Sequence, residues 1–508
     1  MASNKSGSRQ IASGAPARKR PEVVETVDMP NARRNPWGGI KQPGHGDRGP
    51  DMPVAVVILA AGQGKRMRSK LPKVLQPLAG RPLLAHVLET AGELKPEAIH
   101  VVYGHGGDLV RERLADVPTP VPVQWVLQAE QLGTGHAVLQ AAPRLLPQQR
   151  VLILYGDVPL ITPETLFELL EGCGPNSLSL LTVELEDPEG YGRVIRDERG
   201  RVKAIVEDKD ATTKQRAITE CNTGIMAVPA RHLLRWLTQL GNANSQGEYY
   251  LTDVIAAAVK DGVVVTPLPA DSEEEVQGVN DKVQLSMVEA SYRLSQAVDL
   301  MEAGVTVIDP LRLDVRGTVE PGSDVTLDVN VVLEGRVVLG DGVSIGPNCV
   351  IRDATIGAGT QIAANSIVER STIGADCRVG PFARVRPESV LADQVHIGNF
   401  VEVKKTTLGA GSKANHLTYL GDAVIGAAVN VGAGTVTCNY DGVNKSTTTI
   451  GDGAFIGSGS MLVAPVTIGA NATIGAGSTI TREAPADKLT LERSKQTTLE
   501  GWQRPEKK

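Results

Sequence analysis

From about residue 339 to 480 the apolar positions keep a period of six. Aliphatic residues return at Ile373, Val379, Val385, Leu391, Ile397 and Val403, and again at Ile450, Ile456, Leu462, Ile468, Ile474 and Ile480. Glycine follows most of the second set, at Gly451, Gly457, Gly469 and Gly475. A period of six fits neither a helix, which repeats near 3.6, nor a strand, which repeats at 2. It fits a chain that turns after each short strand, three turns to a coil, with one aliphatic per hexapeptide pointing inward. Glycine or another small residue is expected at the corner. The prediction is a parallel β-helix of about ten coils, each of about 18 residues, stacked about 4.8 Å apart. Its first coils, over 305–338, look irregular. Between Val403 and Ile450 the register breaks, and the break contains His416.

The N-terminal half patterns differently. Residues 54–61 form an unbroken apolar run, as in a strand buried on both faces of a parallel sheet. Further apolar strands are predicted over 98–103, 123–127 and 151–155, with a helix over 82–94. Strands alternating with helical stretches predict a doubly wound, Rossmann-like α/β domain. Shorter alternating segments over 178–228 read as an antiparallel insertion closing over a pocket. A long helix over 280–303, stopped by Gly304, connects the two halves. The domains so delimited are a disordered tail (1–52), the α/β domain (53–279), the linker helix (280–304) and the β-helix with its C-terminal tail (305–508).

The first strand runs into Gly62-Gln63-Gly64-Lys65-Arg66-Met67, and Leu71-Pro72-Lys73 follows. Glycines let backbone N–H groups approach phosphate and the cations neutralise it. A plain βα turn has the same outline, and the spacing matches neither the dinucleotide fingerprint nor the P-loop. The fourth strand ends in Tyr155-Gly156-Asp157, placing a carboxylate at the sheet edge where ligands bind. Such a group suits Mg²⁺ held with a nucleotide, and a capping aspartate would look alike. The segment from Gln128 to Gly135 lies at the same end, where amide and backbone groups could read a base.

Composition narrows the class. Of 508 residues, 41% are apolar and 22% charged, as in a soluble globular chain, and only 3% are aromatic, as narrow aliphatic coils require. The net charge of −6 argues against general nucleic-acid binding. Five scattered cysteines, an odd number without paired spacing, point to reduced thiols in a cytoplasmic protein. No apolar run reaches the length that spans a membrane. Residues 1–51 carry nine Lys or Arg against five Asp or Glu and no signal-peptide core. Met52 stands just before the first strand, which suggests translation starting there.

The motifs together resemble a known family. The run from Leu59 to Met67 with Leu71-Pro72-Lys73 resembles the sugar-nucleotide pyrophosphorylase signature, and 126–135, 155–159, 190–193 and 247–253 look like its uridylyltransferase branch. The β-helix, with His416-Leu417-Thr418-Tyr419-Leu420-Gly421-Asp422 and Thr437-Cys438-Asn439-Tyr440-Asp441-Gly442, resembles an acetyltransferase half. Both halves in this order are similar to the bifunctional bacterial N-acetylglucosamine-1-phosphate uridylyltransferase / glucosamine-1-phosphate N-acetyltransferase family, over about 53–508. The resemblance implies a left-handed parallel β-helix of hexapeptide repeats, a homotrimer, and the substrates acetyl-CoA, glucosamine 1-phosphate, N-acetylglucosamine 1-phosphate and UTP. The product, UDP-N-acetylglucosamine, feeds peptidoglycan and lipopolysaccharide precursors.

It also implies roles. Leu59, Ala60, Ala61 and Gly62 hold the nucleotide, and Arg66 and Lys73 bind phosphate. Gln128, Gly133 and Thr134 read uracil. Asp157 and Asn280 coordinate Mg²⁺. Tyr155 with Gly156, Gly192, Glu207 and Asn222 contact the sugar. In the other half His416 is the base, Arg386 and Lys404 bind the sugar phosphate, and Tyr419 and Asn430 hold the sugar. Ala433, Asn439, Tyr440, Ser458, Ala476 and Arg493 hold acetyl-CoA. One position departs: the family usually has Thr where this chain has Lys65. Cys438 is read as a small packed thiol, not an acetyl carrier. The competing expectations are a single-function sugar-1-phosphate nucleotidylyltransferase with a structural β-helix, and a β-helical scaffold without catalysis.

Overall fold

A computed structural model describes residues 52–505 apart from Gln63 and His105, together with Lys507. The predicted features of residues 1–51 lie outside the described residues.

Among the described residues, eleven strands belong to the N-terminal half: β1 (Val54–Ala60), β2 (Pro77–Leu78), β3 (Arg81–Pro82), β4 (Ala98–Tyr103), β5 (Val123–Leu127), β6 (Arg150–Tyr155), β7 (Ser177–Glu184), β8 (Gly192–Arg196), β9 (Val202–Val206), β10 (Glu220–Pro229) and β11 (Val264–Pro269). β2 and β3 form a small hairpin. The helices are α1 (Leu83–Glu93), α2 (Gly107–Arg113), α3 (Thr134–Ala141), α4 (Pro163–Glu171), α5 (Thr213–Arg216), α6 (Ala230–Leu237), α7 (Asp253–Lys260) and α8 (Lys282–Glu302).

The main sheet runs β11-β7-β10-β6-β1-β4-β5. β1 pairs in parallel with both β4 and β6. Its apolar run serves two cores, as a central strand must. Val56, Ile58 and Ala60 pack on one face with Leu84 and Leu88 of α1 and Leu166 of α4. Ala55, Val57 and Leu59 pack on the other with Val138 of α3, Trp236 of α6 and Ile255 of α7. Each valine, leucine or isoleucine among them contributes about 1.5–3 kcal/mol by leaving water. The chain order reverses between β1 and β6, so a crevice opens there at the strands' carboxyl ends.

The 178–228 region differs from the sequence expectation. β7 and β10 are not a flap. They extend the main sheet, with β10 antiparallel to both β6 and β7. Their buried runs on both faces demand a central position. Only β8 and β9 leave the sheet path, as an antiparallel pair on β10.

α8 joins the two halves. Asp281 caps it, its carboxylate accepting from Val283 and Gln284 N–H at 2.9 Å each. At its end Gly304 N–H donates to Met301 O at 3.0 Å and Val305 N–H to Leu300 O at 2.9 Å, a Schellman stop. At its middle Tyr292 meets His86 edge-to-face at 5.1 Å. Near its end Ala297 and Leu300 enter the β-helix core. Burial lowers the His86 pKa to about 4, against a weaker opposing effect from its hydrogen bond to Leu78 O. Unfolding returns it to about 6.5, so protonation below pH 6.5 favours the unfolded chain. Stability from neutral His86 is full above pH 6.5 and is lost as pH falls toward 4, by up to about 3 kcal/mol. We expect His86→Phe to flatten part of the decline in denaturant midpoint between pH 6.5 and 4. A decline as steep as in the parent chain would contradict this.

From Thr306 onward short parallel strands stack in register. Eleven lie on one face, and the other two faces share a 17-stranded sheet. The early coils are regular too: Asp314–Pro321 pairs residue for residue with Val332–Leu339. The interior is one continuous aliphatic core from Ala297 to Ala484. Cutting one such side chain to alanine costs about 2–5 kcal/mol.

Two expectations are corrected. The glycines after the inward aliphatics are not the corners. A Cβ on Gly457 would lie 2.5 Å from Ala476 N in the next coil, so they permit close stacking. The corners are left-handed residues elsewhere, many of them larger, such as Asn348, Asn365, Phe382, Phe400 and Leu417, with φ between 46° and 61°. Nor does the coil break after Val403. Leu408, Ala414, Leu420, Ile425 and Val431 continue the buried row. The period slips because one corner uses a five-residue side, turning at Lys405 (φ 46°) and Asp422 (φ 49°). The true interruption lies between the strands Val436–Cys438 and Thr448–Ile450.

Candidate active sites

The crevice beside β1 is a cleft of about 260 Å³. It brings together Leu59, Ala60, Ala61, Gly62, Lys73, Gln128, Gly133, Thr134, Tyr155 and Asp157. Most come from the end of a parallel strand or the turn after it, while Lys73 opens a short 3-10 turn over Lys73–Leu75 and Thr134 opens α3. Gly64 stands at φ +60°, and a Cβ there would meet Lys73 Cβ at 2.7 Å, so only glycine lets the turn close on the lysine. Lys73 Nζ pairs with the Asp157 carboxylate and donates to Asn280 Oδ1 at 3.2 Å. Val279 N–H donates to Asp157 O at 2.9 Å, which ties the start of α8 to the cleft. Three groups more than 80 residues apart in pairs thus meet at one point.

The predicted sugar contacts form a neighbouring group. Gly192 and Asn222 face each other across β8 and β10. A Cβ on Gly192 would lie 3.5 Å from Glu207 Oε2. Glu207 Oε1 accepts from Thr252 at 2.8 Å, and burial raises its pKa against that bond. Burial, then the Glu207 and Asp157 carboxylates, push the Tyr155 phenol upward. Tyr155 therefore stays neutral and links this group to the cleft. Gly156 acts through its backbone, donating to Leu59 O at 2.9 Å. Arg66 and Lys65 sit exposed on the turn beside the cleft and do not line it. The sequence reading passed over four lining residues, Val74, Gln131, Ala137 and Glu248. Gln131 donates to Ala61 O at 2.6 Å. Its place in the motif after β5 was the available signal.

On the β-helix the predicted residues fall in ordered columns. Asn399 and His416 are paired across adjacent strands, and His416 Nδ1 lies 3.0 Å from Asn399 Oδ1. The amide oxygen can only accept, so Nδ1 carries the hydrogen and Nε2 is left with its lone pair outward. The same column continues coil by coil through Ala433, Ser458 and Ala476. Gly459 N–H donates to Ala433 O at 2.7 Å, Gly477 N–H to Ser458 O at 2.8 Å, and Arg493 Nη1 to Ala476 O at 2.9 Å. Around the Leu417 corner lies Tyr419, paired with Glu402. Glu402 accepts from Arg386 at 2.6 Å. Lys404, at the far end of that face, is 3.8 Å from Asp422, whose carboxylate also takes the Asn439 amide.

Asn430 lies on the same face as His416, one coil on, in register with Lys413 and Phe455. One predicted residue stands apart. Tyr440 is exposed on the loop after Cys438, its hydroxyl donating to Gly442 O at 2.5 Å. His416 itself is exposed. Within one chain these residues lie along an open surface. Asn399 was missed by the sequence reading, since nothing local marks it.

A MobA-like NTP transferase domain model matches residues 56–211, a GMPPB C-terminal domain model 315–410, and six bacterial transferase hexapeptide repeats 447–482. Similar over their full length are the bifunctional protein GlmU of Stenotrophomonas maltophilia strain K279a (58% identity, 90% of this chain, 99% of the relative) and that of Stutzerimonas stutzeri strain A1501 (58%, 90% and 100%). The chain belongs to the bifunctional GlmU family. The GlmU of Alkalilimnicola ehrlichii, 56% identical over 89% of this chain and 96% of its own, agrees. The family accounts for both halves at once: a nucleotidyltransferase fold and a hexapeptide β-helix in this order. No helix among the described residues is long and apolar enough to cross a membrane.

Proposed function

We propose that this chain makes UDP-N-acetylglucosamine by two transfers at two separate sites. Residues 53–279 carry uridylyl transfer, 280–304 the connection, and 305–508 acetyl transfer. The observation that carries the reading is the coexistence of the Lys73–Asp157–Asn280 cluster in the cleft with His416 on the β-helix, in a chain of this family.

In the β-helix site the glucosamine 1-phosphate amine attacks the thioester carbonyl of acetyl-CoA. The N–C bond forms, the C–S bond breaks, and the nitrogen's proton passes to His416 Nε2. Arg386 and Lys404 hold the phosphate, and Tyr419 and Asn430 the sugar. Ala433, Asn439, Tyr440, Ser458, Ala476 and Arg493 receive the coenzyme. Asn399 positions the imidazole. The open placement of His416, and of Tyr440 on its exposed loop, supports a homotrimer in which a neighbouring copy closes the site.

In the cleft an oxygen of N-acetylglucosamine 1-phosphate attacks the α-phosphorus of UTP in line, and diphosphate leaves. No proton need move, so the work is positioning and neutralising charge. Lys73, with the backbone after β1, faces the phosphates. Gln128, Gly133 and Thr134 face the uracil, and Gly192, Glu207 and Asn222 the sugar. The residues also fit Mg²⁺. Asp157 and Asn280 turn two hard oxygens toward one point, now taken by the Lys73 ammonium. Among the described residues no group of three His, Cys, Asp or Glu could hold a metal alone. Mg²⁺ commonly completes such a site with substrate phosphate and water. Bound there it would neutralise charge on the triphosphate.

Free cysteines, four of them buried, fit a location in the cytoplasm. The testing experiment combines glucosamine 1-phosphate, acetyl-CoA, UTP and Mg²⁺, omitting each in turn. Omitting acetyl-CoA should abolish both products. Omitting UTP should leave the acetylated sugar phosphate alone. Nucleotide-sugar formed from N-acetylglucosamine 1-phosphate, without acetyl release from acetyl-CoA in the full mixture, would defeat the bifunctional reading.

A further inference from the structure

We infer that His136 is a positioning residue that sets the pyrimidine selectivity of the cleft by fixing which end of the Gln128 amide faces the base. The inference rests on the reading of the cleft as a uridylyl site.

Gln128 lines the cleft and is only 3% exposed. Its Nε2 makes two contacts, with Gly133 O at 3.2 Å and with His136 Nδ1 at 3.1 Å. A carbonyl can only accept, so Gly133 O and a bare His136 Nδ1 hold the NH₂ end inward together, one N–H to each. Turning the amide over would set Oε1 against Gly133 O, acceptor against acceptor. The second N–H then points at His136 Nδ1, which must be bare. Among the described residues Oε1 makes no protein hydrogen bond, which leaves it for a ligand.

The other ring nitrogen completes the argument. His136 Nε2 lies 3.0 Å from Gln140 Nε2, which also approaches His136 O at 3.2 Å. A neutral imidazole carries one N–H, so it cannot accept from both glutamines. One amide must be turned. Gln140 is half-buried on the helix surface, whereas Gln128 is buried and pinned by Gly133. Gln140, the more exposed of the two, is therefore the one that turns, giving up its donation to His136 O so that its Oε1 accepts from His136 Nε2–H. Amide ends and imidazole tautomers are assigned through such networks. Tyr249 holds the ring in place, with its own ring centre 6.3 Å away. The Tyr249 segment is latched to the same loop, Tyr249 N–H donating to Leu132 O and Gly135 N–H to Tyr249 O, each at 2.8 Å.

The chemical consequence is selectivity. Uracil presents a donor at N3, flanked by two carbonyl oxygens. Cytosine presents an acceptor at N3. A fixed Oε1 pairs with the first and opposes the second. If hydrogen moved to Nδ1 it would face the Gln128 N–H, donor against donor. The amide would then be driven over to offer NH₂, which suits cytosine.

The test compares kcat/KM for UTP and CTP in His136→Phe, His136→Asn and His136→Gln. Phe keeps the bulk and removes the acceptor. Asn places an amide oxygen near the position of Nδ1, and Gln places its amide near Nε2. We expect Phe and Gln to lower the UTP/CTP ratio about tenfold. Asn should hold it within about threefold of the parent. Acetyl transfer should stay unchanged in all three, which reports folding. A structural role alone would lower both nucleotides together and leave the ratio intact. An unchanged ratio in Phe and Gln overturns the inference while the uridylyl reading stands. A parent enzyme without preference for UTP overturns that reading and the inference with it. Should the Phe variant fail to fold, the contrast between Asn and Gln decides.

Discussion

Replacing His416 with alanine should lower acetyl transfer about 10²–10⁴-fold, the usual contribution of a positioned general base, and leave uridylyl transfer from UTP within about twofold. The effect is large because the nucleophile is an amine that must lose a proton as the C–N bond forms. Among the described residues His416 is the imidazole held with an outward Nε2 in the column that runs to Ala476. The Asn399 contact fixes the ring before substrate arrives, so no reorganisation is needed at the moment of transfer. His416 is exposed and packs no core, so its removal leaves the coil stacking intact. Acetyl-CoA consumption and diphosphate release, followed separately, read the two activities. Retention of acetyl transfer would remove His416 from the chemistry.

The reverse pattern should follow from Asp157→Ala: uridylyl transfer falls about 10²–10³-fold, as for loss of one preorganised charge-stabilising group, and acetyl transfer is kept. Asp157 is largely buried with Lys73, their side chains 13% and 14% exposed. Removing the carboxylate leaves the ammonium without its charge partner and free to shift from the Asn280 contact. It also removes one of the two oxygens that suit Mg²⁺. Asp157→Asn separates charge from shape: it keeps the packing and should lose nearly as much. If either His416→Ala or Asp157→Ala abolished both activities in a correctly assembled protein, two independent sites would be ruled out.

How much of this was visible in the chain depends on the range of the interaction. β4 coincides with its predicted strand because a buried parallel strand writes its apolar run locally, and β5 coincides as an edge strand in which only Val126 is buried. The hexapeptide period was equally plain, since each inward aliphatic recurs after one side of a coil. The supposed break after Val403 was a misreading of phase. A five-residue side at one corner shifts the period without interrupting the coil, and only stacking on the coil beneath reveals it. Likewise the 178–228 strands looked like a flap until β10 was seen between β6 and β7.

The sequence by itself determined the two architectures, their order, and the residues at strand ends that carry chemistry, because these are written as local runs, periods and motifs. The tertiary structure alone decided what each of those residues touches. Asn399 reaches His416 across 17 residues, and Asn280 reaches Lys73 across 207. Which amide end Gln128 turns to the cleft is set by a carbonyl and an imidazole on the next helix. Hydrogen bonds of that kind depend on distances of about 3 Å between side chains, and such distances exist only after the strands have paired and the coils have stacked.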